Sequence, residues 1–133
     1  MPPPTEPDPE TLERVIRELG IYPREAFEFI DQGVQYTATK LHGPTGKSKE
    51  RRHVSGQQLC EGLRELALLK WGMLARTVLE RWNIQTTRDF GRIVFTLVDS
   101  GLMSKTEEDS IADFEKVYDF RTAFETGYQI KGS

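Results

Sequence analysis

Cysteine is almost absent: Cys60 stands alone among 133 residues. One thiol excludes an intrachain disulfide and any cysteine-rich zinc module, and it suits a reducing compartment, so a cytoplasmic location is expected. Long apolar runs are missing too. None approaches the roughly 18 residues that cross a bilayer, and no basic-then-apolar leader opens the chain. No membrane role is expected. Nor does positive charge dominate. Lys and Arg number 18 against 21 Asp and Glu, a net charge of −3, which argues against a dedicated nucleic-acid binder with a strongly basic face. Alternating strand patterns and internal repeats are lacking as well.

What is present reads as helix. Apolar residues make up 37% and charged residues 29%, the balance of a globular chain, and the length suits a single domain with one core. Five of the first nine residues, MPPPTEPDP, are proline, so residues 1–9 are expected to be disordered. The helical domain then occupies 10–126, with a flexible basic loop at 43–54 and a frayed tail at 127–133. A first helix follows from Asp8 as N-cap, Pro9 at the first helical position and Gly20 as the stop. Leu12, Val15, Ile16 and Leu19 repeat on one face of it. A second helix opens near Pro23 and carries Ala26, Phe27, Ile30, Val34, Ala38 and Leu41 inward until Gly43 and Pro44 end it. Phe29 and Tyr36 lie off that stripe, and Gly33 suggests close packing, because glycine costs about 1 kcal/mol in a helix interior relative to alanine.

Ser55 with Gln58 has the spacing of a capping box for a third helix, with Leu59, Leu63 and Leu66 inward and Cys60 and Ala67 beside them. Gly72 breaks the run. Leu74, Val78, Leu79 and Trp82 mark a fourth helix. A fifth, capped by Thr86 or Thr87, bears Phe90, Ile93, Val94, Leu97 and Val98 and stops at Gly101. A short acidic sixth, capped by Thr106 or Ser110, turns Ile111, Phe114 and Val117 inward, and Arg121–Thr126 add a last turn. The expected fold is an all-α, single-domain orthogonal bundle of five or six helices, with room for one short hairpin near Leu102–Lys105. Its core should hold Leu12, Val15, Ile16, Phe27, Ile30, Leu59, Leu63, Leu66, Leu74, Val78, Phe90, Ile93, Val94, Leu97 and Phe114.

Three stretches, YPREAFEFI from Tyr22, HVSGQQLCEGLRELAL from His53 to Leu68 and RDFGRIVFTLVDSGLMSKTEEDSIADFEKVYDF from Arg88 to Phe120, carry a resemblance. Over Thr11–Phe124 the chain resembles an uncharacterised small-protein family found mainly in planctomycete and verrucomicrobial bacteria. That family has no assigned activity. The resemblance implies a small cytoplasmic helical protein and transfers no catalytic residue. The proline-rich start and the basic loop depart most from the family pattern.

Candidate chemistry is thin. Gly43–Ser48 reads GPTGKS, like the end of a phosphate-binding loop, but Leu41 occupies the place of the first glycine and a helix, not a strand, precedes it. A linker is the expected reading. His42 and His53 flank this loop and fall short of the three or four ligands that zinc requires, so exposed loop histidines are expected. Cys60 sits near an apolar helix face, where a thiol is inert. The acids Glu107, Glu108, Asp109, Asp113 and Glu115 lack the turn glycine and alternating oxygens of a calcium loop and suit a helix start. No catalytic, metal or cofactor-binding residue is assigned, and no cofactor is expected.

Two binding surfaces stand out. Lys40, Lys47, Lys49, Arg51 and Arg52 form a basic stretch able to contact phosphates with a salt-dependent affinity, although no aromatic accompanies it for base stacking. Phe114, Tyr118, Phe120, Phe124 and Tyr128 crowd the C-terminal end. Their spacing suits packing onto the bundle, and the alternative is that Tyr118, Phe120 and Phe124 form a partner surface. Trp71 and Trp82 share that ambiguity. The first expectation is a non-enzymatic interaction or regulatory module with a protein partner. A nucleic-acid-associated protein using residues 40–53 comes second, including a winged-helix arrangement of Ser55–Phe120, although its recognition helix would offer only Arg88 and Arg92 to DNA. A metal-dependent enzyme using the acidic run ranks last.

Overall fold

Helix α1 begins at Pro9 and ends at Leu19, where Gly20 adopts φ +64°. The computed structural model describes residues 9–43 and 53–126. The proline-rich start, the Asp8 cap, the phosphate-loop lookalike, Lys47, Lys49, Arg51, Arg52 and the C-terminal tail lie outside the described residues. Val15 of α1 is buried, while Leu12, Ile16 and Leu19 pack half-buried against the core.

Helix α2 spans Arg24–His42 and α3 spans Gly56–Trp71. The capping box forms as its spacing predicts: Ser55 Oγ accepts from the Gln58 amide at 3.1 Å, and Gln58 Oε1 accepts from the Ser55 amide at 3.0 Å. The two helices run antiparallel, for Thr37 faces Gly62 while Phe29 meets Trp71. Their approach is set by two glycines. A Cβ on Gly33 would fall 2.1 Å from Leu63 Cδ2, and one on Gly62 would fall 1.8 Å from Thr37 Oγ1. Among the described residues buried Thr37 Oγ1 has no hydrogen-bond partner, a position that costs about 1–3 kcal/mol.

Gly72, at φ +55°, turns the chain through a 3₁₀ turn at Gly72–Leu74 into α4, Ala75–Arg81. Helix α5 covers Thr87–Asp99. Asp89 anchors its start by accepting from the Gln85 and Thr86 amides at 2.8 and 3.1 Å. Phe90, Ile93, Val94 and Leu97 are buried, as their period predicts. Phe114 closes the core against α5: a Cβ on Gly91 would lie 2.8 Å from Phe114 Cβ. The fold is thus an all-α bundle of five α-helices among the described residues, and none of these helices is long and apolar enough to cross a membrane.

Several expectations are corrected. The proposed sixth helix is a single 3₁₀ turn, Ile111–Phe114, because Glu115 is extended and Lys116 takes φ +49°. The possible hairpin near Leu102–Lys105 does not form, and no strand occurs among the described residues. Instead the Leu102 and Met103 amides both donate to the Leu97 carbonyl at the end of α5, which folds these two side chains into the core. Leu41, expected inward, is 43% exposed, Val78 of the expected core is only half-buried, and Leu74, also expected inside, is 60% exposed. The turn at Gly72 points it outward, and Ala75 and Leu79 fill the inner face of α4.

Candidate functional site

Each candidate from the sequence now has a place. Lys40 lies at the C-terminal end of α2 and pairs with Glu65 of α3, which also accepts from the Tyr36 hydroxyl at 3.0 Å. The hydrogen bond to Glu65 raises the Lys40 pKa. The rest of the basic stretch falls outside the described residues. Of the C-terminal aromatics, Tyr118, Phe120 and Phe124 pack against one another, and Tyr128 lies outside the described residues. Phe120 and Phe124 are buried with ring centroids 5.1 Å apart, which removes both from the expected partner surface. Tyr118 is half-buried and donates to the Cys60 carbonyl at 2.6 Å. Burial of its ring pushes its pKa well above the usual value.

Cys60 is buried. Burial, with a smaller contribution from the Glu61 carboxylate, pushes its thiol up to about 12, so it stays protonated and unreactive. The histidines differ from expectation. His42 Nε2 donates to the His53 carbonyl at 2.6 Å, and His53 Nε2 contacts the Asp109 carboxylate at 3.1 Å. Both rings are therefore tied down rather than free in a loop. Asp109 is almost fully buried and accepts from the Thr106 amide at 2.8 Å. Burial alone would raise its pKa, but the Thr106 amide and His53 together hold it below the usual carboxylate value. Of the other acids in the run, Asp113 accepts from the Ser110 amide at 3.0 Å. Among the described residues no group of three His, Cys, Asp or Glu side chains is placed to hold a metal ion.

Two surface features remain. A groove of about 780 Å³ lies where the start of α5 meets the segment after Phe114, lined in part by Thr86, Arg88, Glu115, Lys116, Tyr118 and Asp119. It is rigidly built. The buried Thr87 hydroxyl donates to the Phe114 carbonyl at 2.6 Å and accepts from the Val117 amide at 3.2 Å. Its charges come as two cations and two carboxylates, with Arg88 3.9 Å from Glu115, so the groove favours neither sign.

The second feature is apolar. Leu69 at the end of α3 and Met73 and Leu74 in the following turn are 72%, 70% and 60% exposed. Trp71, in the same stretch of chain, belongs to an aromatic trio. Trp71 lies 5.2 Å from Phe29 and 5.3 Å from Trp82, measured between ring centroids. The sequence reading missed Leu69 and Met73, yet a signal was there. Successive helical residues turn by about 100°, so Leu68 and Leu69 cannot both join the face of Leu59, Leu63 and Leu66.

Compared with protein-family models, curated proteins and solved structures, the chain matches none.

Proposed function

We propose that this protein is a non-enzymatic interaction module that meets another protein through the Leu69–Met73–Leu74 corner. The observation that carries the reading is that three of the four large apolar side chains exposed among the described residues, Leu69, Met73 and Leu74, fall within six positions of the chain. Scattered single apolar residues on a surface need no explanation, but a contiguous cluster leaves water poorly satisfied and favours association. Methionine and leucine supply adaptable contact area. The inert Cys60 and the structural use of the acidic residues favour binding over catalysis. A cytoplasmic setting and kinship with the planctomycete and verrucomicrobial family belong to the same proposal, and that family supplies no competing activity.

The test is a quantitative pull-down from cell lysate after nuclease treatment. It compares the wild-type chain, L69S/M73S/L74S and a control altered at exposed Glu18 and Thr39. Proteins retained by the wild type and the control but lost from the triple variant are the expected outcome. Retention of the same proteins by the triple variant sinks the reading. Disappearance of all partners with nuclease moves the function to nucleic-acid association.

A further inference from the structure

The groove between the start of α5 and the segment after Phe114 shares no residue with the apolar corner. We infer that it binds a small zwitterion, a molecule carrying both an ammonium and a carboxylate on an apolar body, as a free amino acid or a short peptide does. Charges of opposite sign line this one space without neutralising one another. Arg88 and Glu115 approach only to 3.9 Å, too far for a hydrogen bond, and both side chains are more than half exposed. Asp119 Oδ1 accepts from the Arg121 amide at 2.9 Å, and no cation pairs with it among the described residues. The Lys116 ammonium has no partner among the described residues either. Asp89, at the start of α5, is occupied by the Gln85 and Thr86 amides and the Tyr22 hydroxyl.

Two cations and two carboxylates on the groove therefore keep capacity for a ligand. A ligand of one sign would satisfy one pair and press its charge on the other. A neutral molecule would satisfy neither. A zwitterion meets both, and such complementarity sets specificity. The two sides of the groove are joined before any ligand arrives, because Thr87 of α5 bonds both the Phe114 carbonyl and the Val117 amide. Tyr118 is tied through its hydroxyl to the Cys60 carbonyl, and its ring lies 6.0 Å from that of Phe120, centroid to centroid. Both rings belong to the lining and offer apolar contact to the body of the ligand. The volume of about 780 Å³ falls in the range of small-molecule sites.

The probes are L-leucine and a leucine–alanine–leucine tripeptide, each in four forms: free, N-acetylated, C-amidated and blocked at both ends. Binding to the full chain is measured by isothermal titration at low and high salt, and backbone amide NMR shifts locate it. The free form should bind at least tenfold tighter than any blocked form at one size or both. It should weaken at high salt and shift the amides of Arg88, Glu115, Lys116 and Asp119. R88Q/K116Q should lose the preference for the free carboxylate, and E115Q/D119N the preference for the free ammonium; circular dichroism confirms that both variants fold. L69S/M73S/L74S should leave the affinity unchanged, which separates this site from the corner.

Equal affinity of the free and doubly blocked forms at both sizes overturns the zwitterion. So does tighter binding of a form blocked at one end, which makes the groove a site for a single charge. Binding that neither charge variant alters overturns the groove as its location. Failure of every probe to bind overturns the site itself.

Discussion

At Gly62, α3 comes so close to α2 that a single added methyl would collide with Thr37. Two turns later, at Leu69, the same helix holds a leucine out in water. The first region is shaped by removing side chains so that backbones can meet. The second keeps large apolar side chains exposed among the described residues. The contrast separates two uses of apolar surface, since area hidden inside the chain stabilises the fold and area left outside is free to stabilise a complex.

The sharpest way to test the contrast is to damage the inner side. Phe114→Ala should cost about 3–5 kcal/mol, as the loss of a fully buried aromatic does, because Phe114 fills the space against Gly56 and Gly91; urea unfolding measures it. Gly62→Ala should cost about 1–3 kcal/mol by overpacking. Thr37→Ala should recover part of that loss in the double variant, because it removes the nearest colliding atom, so a double-mutant cycle reads out the contact directly. Thr37→Ala alone should be close to neutral, since the hydroxyl it removes lacks a partner among the described residues.

Smaller effects come from polar anchors. Tyr22→Phe should cost about 1.5 kcal/mol, the range for a hydrogen bond to a charged group, because the buried Tyr22 hydroxyl donates to Asp89 at 2.5 Å. Asp109→Asn should cost about 1 kcal/mol at pH 7, and its pH dependence has a definite sign. The folded Asp109 carboxyl titrates below its ordinary value of 3.8, so its contribution is complete above about pH 4 and drains away as pH falls through the folded pKa. Acid titrations of wild type and Asp109→Asn should therefore converge only where pH has fallen through the folded pKa, below the ordinary value of 3.8. A gap that persists there rules out the carboxylate as its source. Smallest of all, L69S/M73S/L74S should move stability by no more than about 0.5 kcal/mol per site, as exposed positions do. A large drop in melting temperature would show that the corner belongs to the core after all.

Much of this fold was legible in the sequence because its signals are local. Proline and glycine bracket α1, Ser55 and Gln58 cap α3, and the period of Phe90, Ile93, Val94 and Leu97 aligns the inner face of α5. What escaped depends on contacts distant in sequence. The period that placed Leu74 inside could not register that Gly72 swings the chain out. The left-handed Lys116 that cuts the sixth helix to one turn carries no glycine to announce it. His53 looked like a loop residue because its partner, Asp109, lies 56 positions away. The candidate docking corner was the least visible part, since a leucine-rich helix end reads as core until the packed faces are known.

The bond from the His42 ring to the His53 carbonyl has a practical consequence. It holds the end of α2 and the residue leading into α3 side by side. A guest sequence placed between these residues would begin and end at neighbouring positions. Its length would then enter stability only through loop entropy, about 0.6 kcal/mol for each doubling. This makes the site an entry point for an epitope, a fluorophore-binding peptide or an inserted domain, with the helices on either side undisturbed.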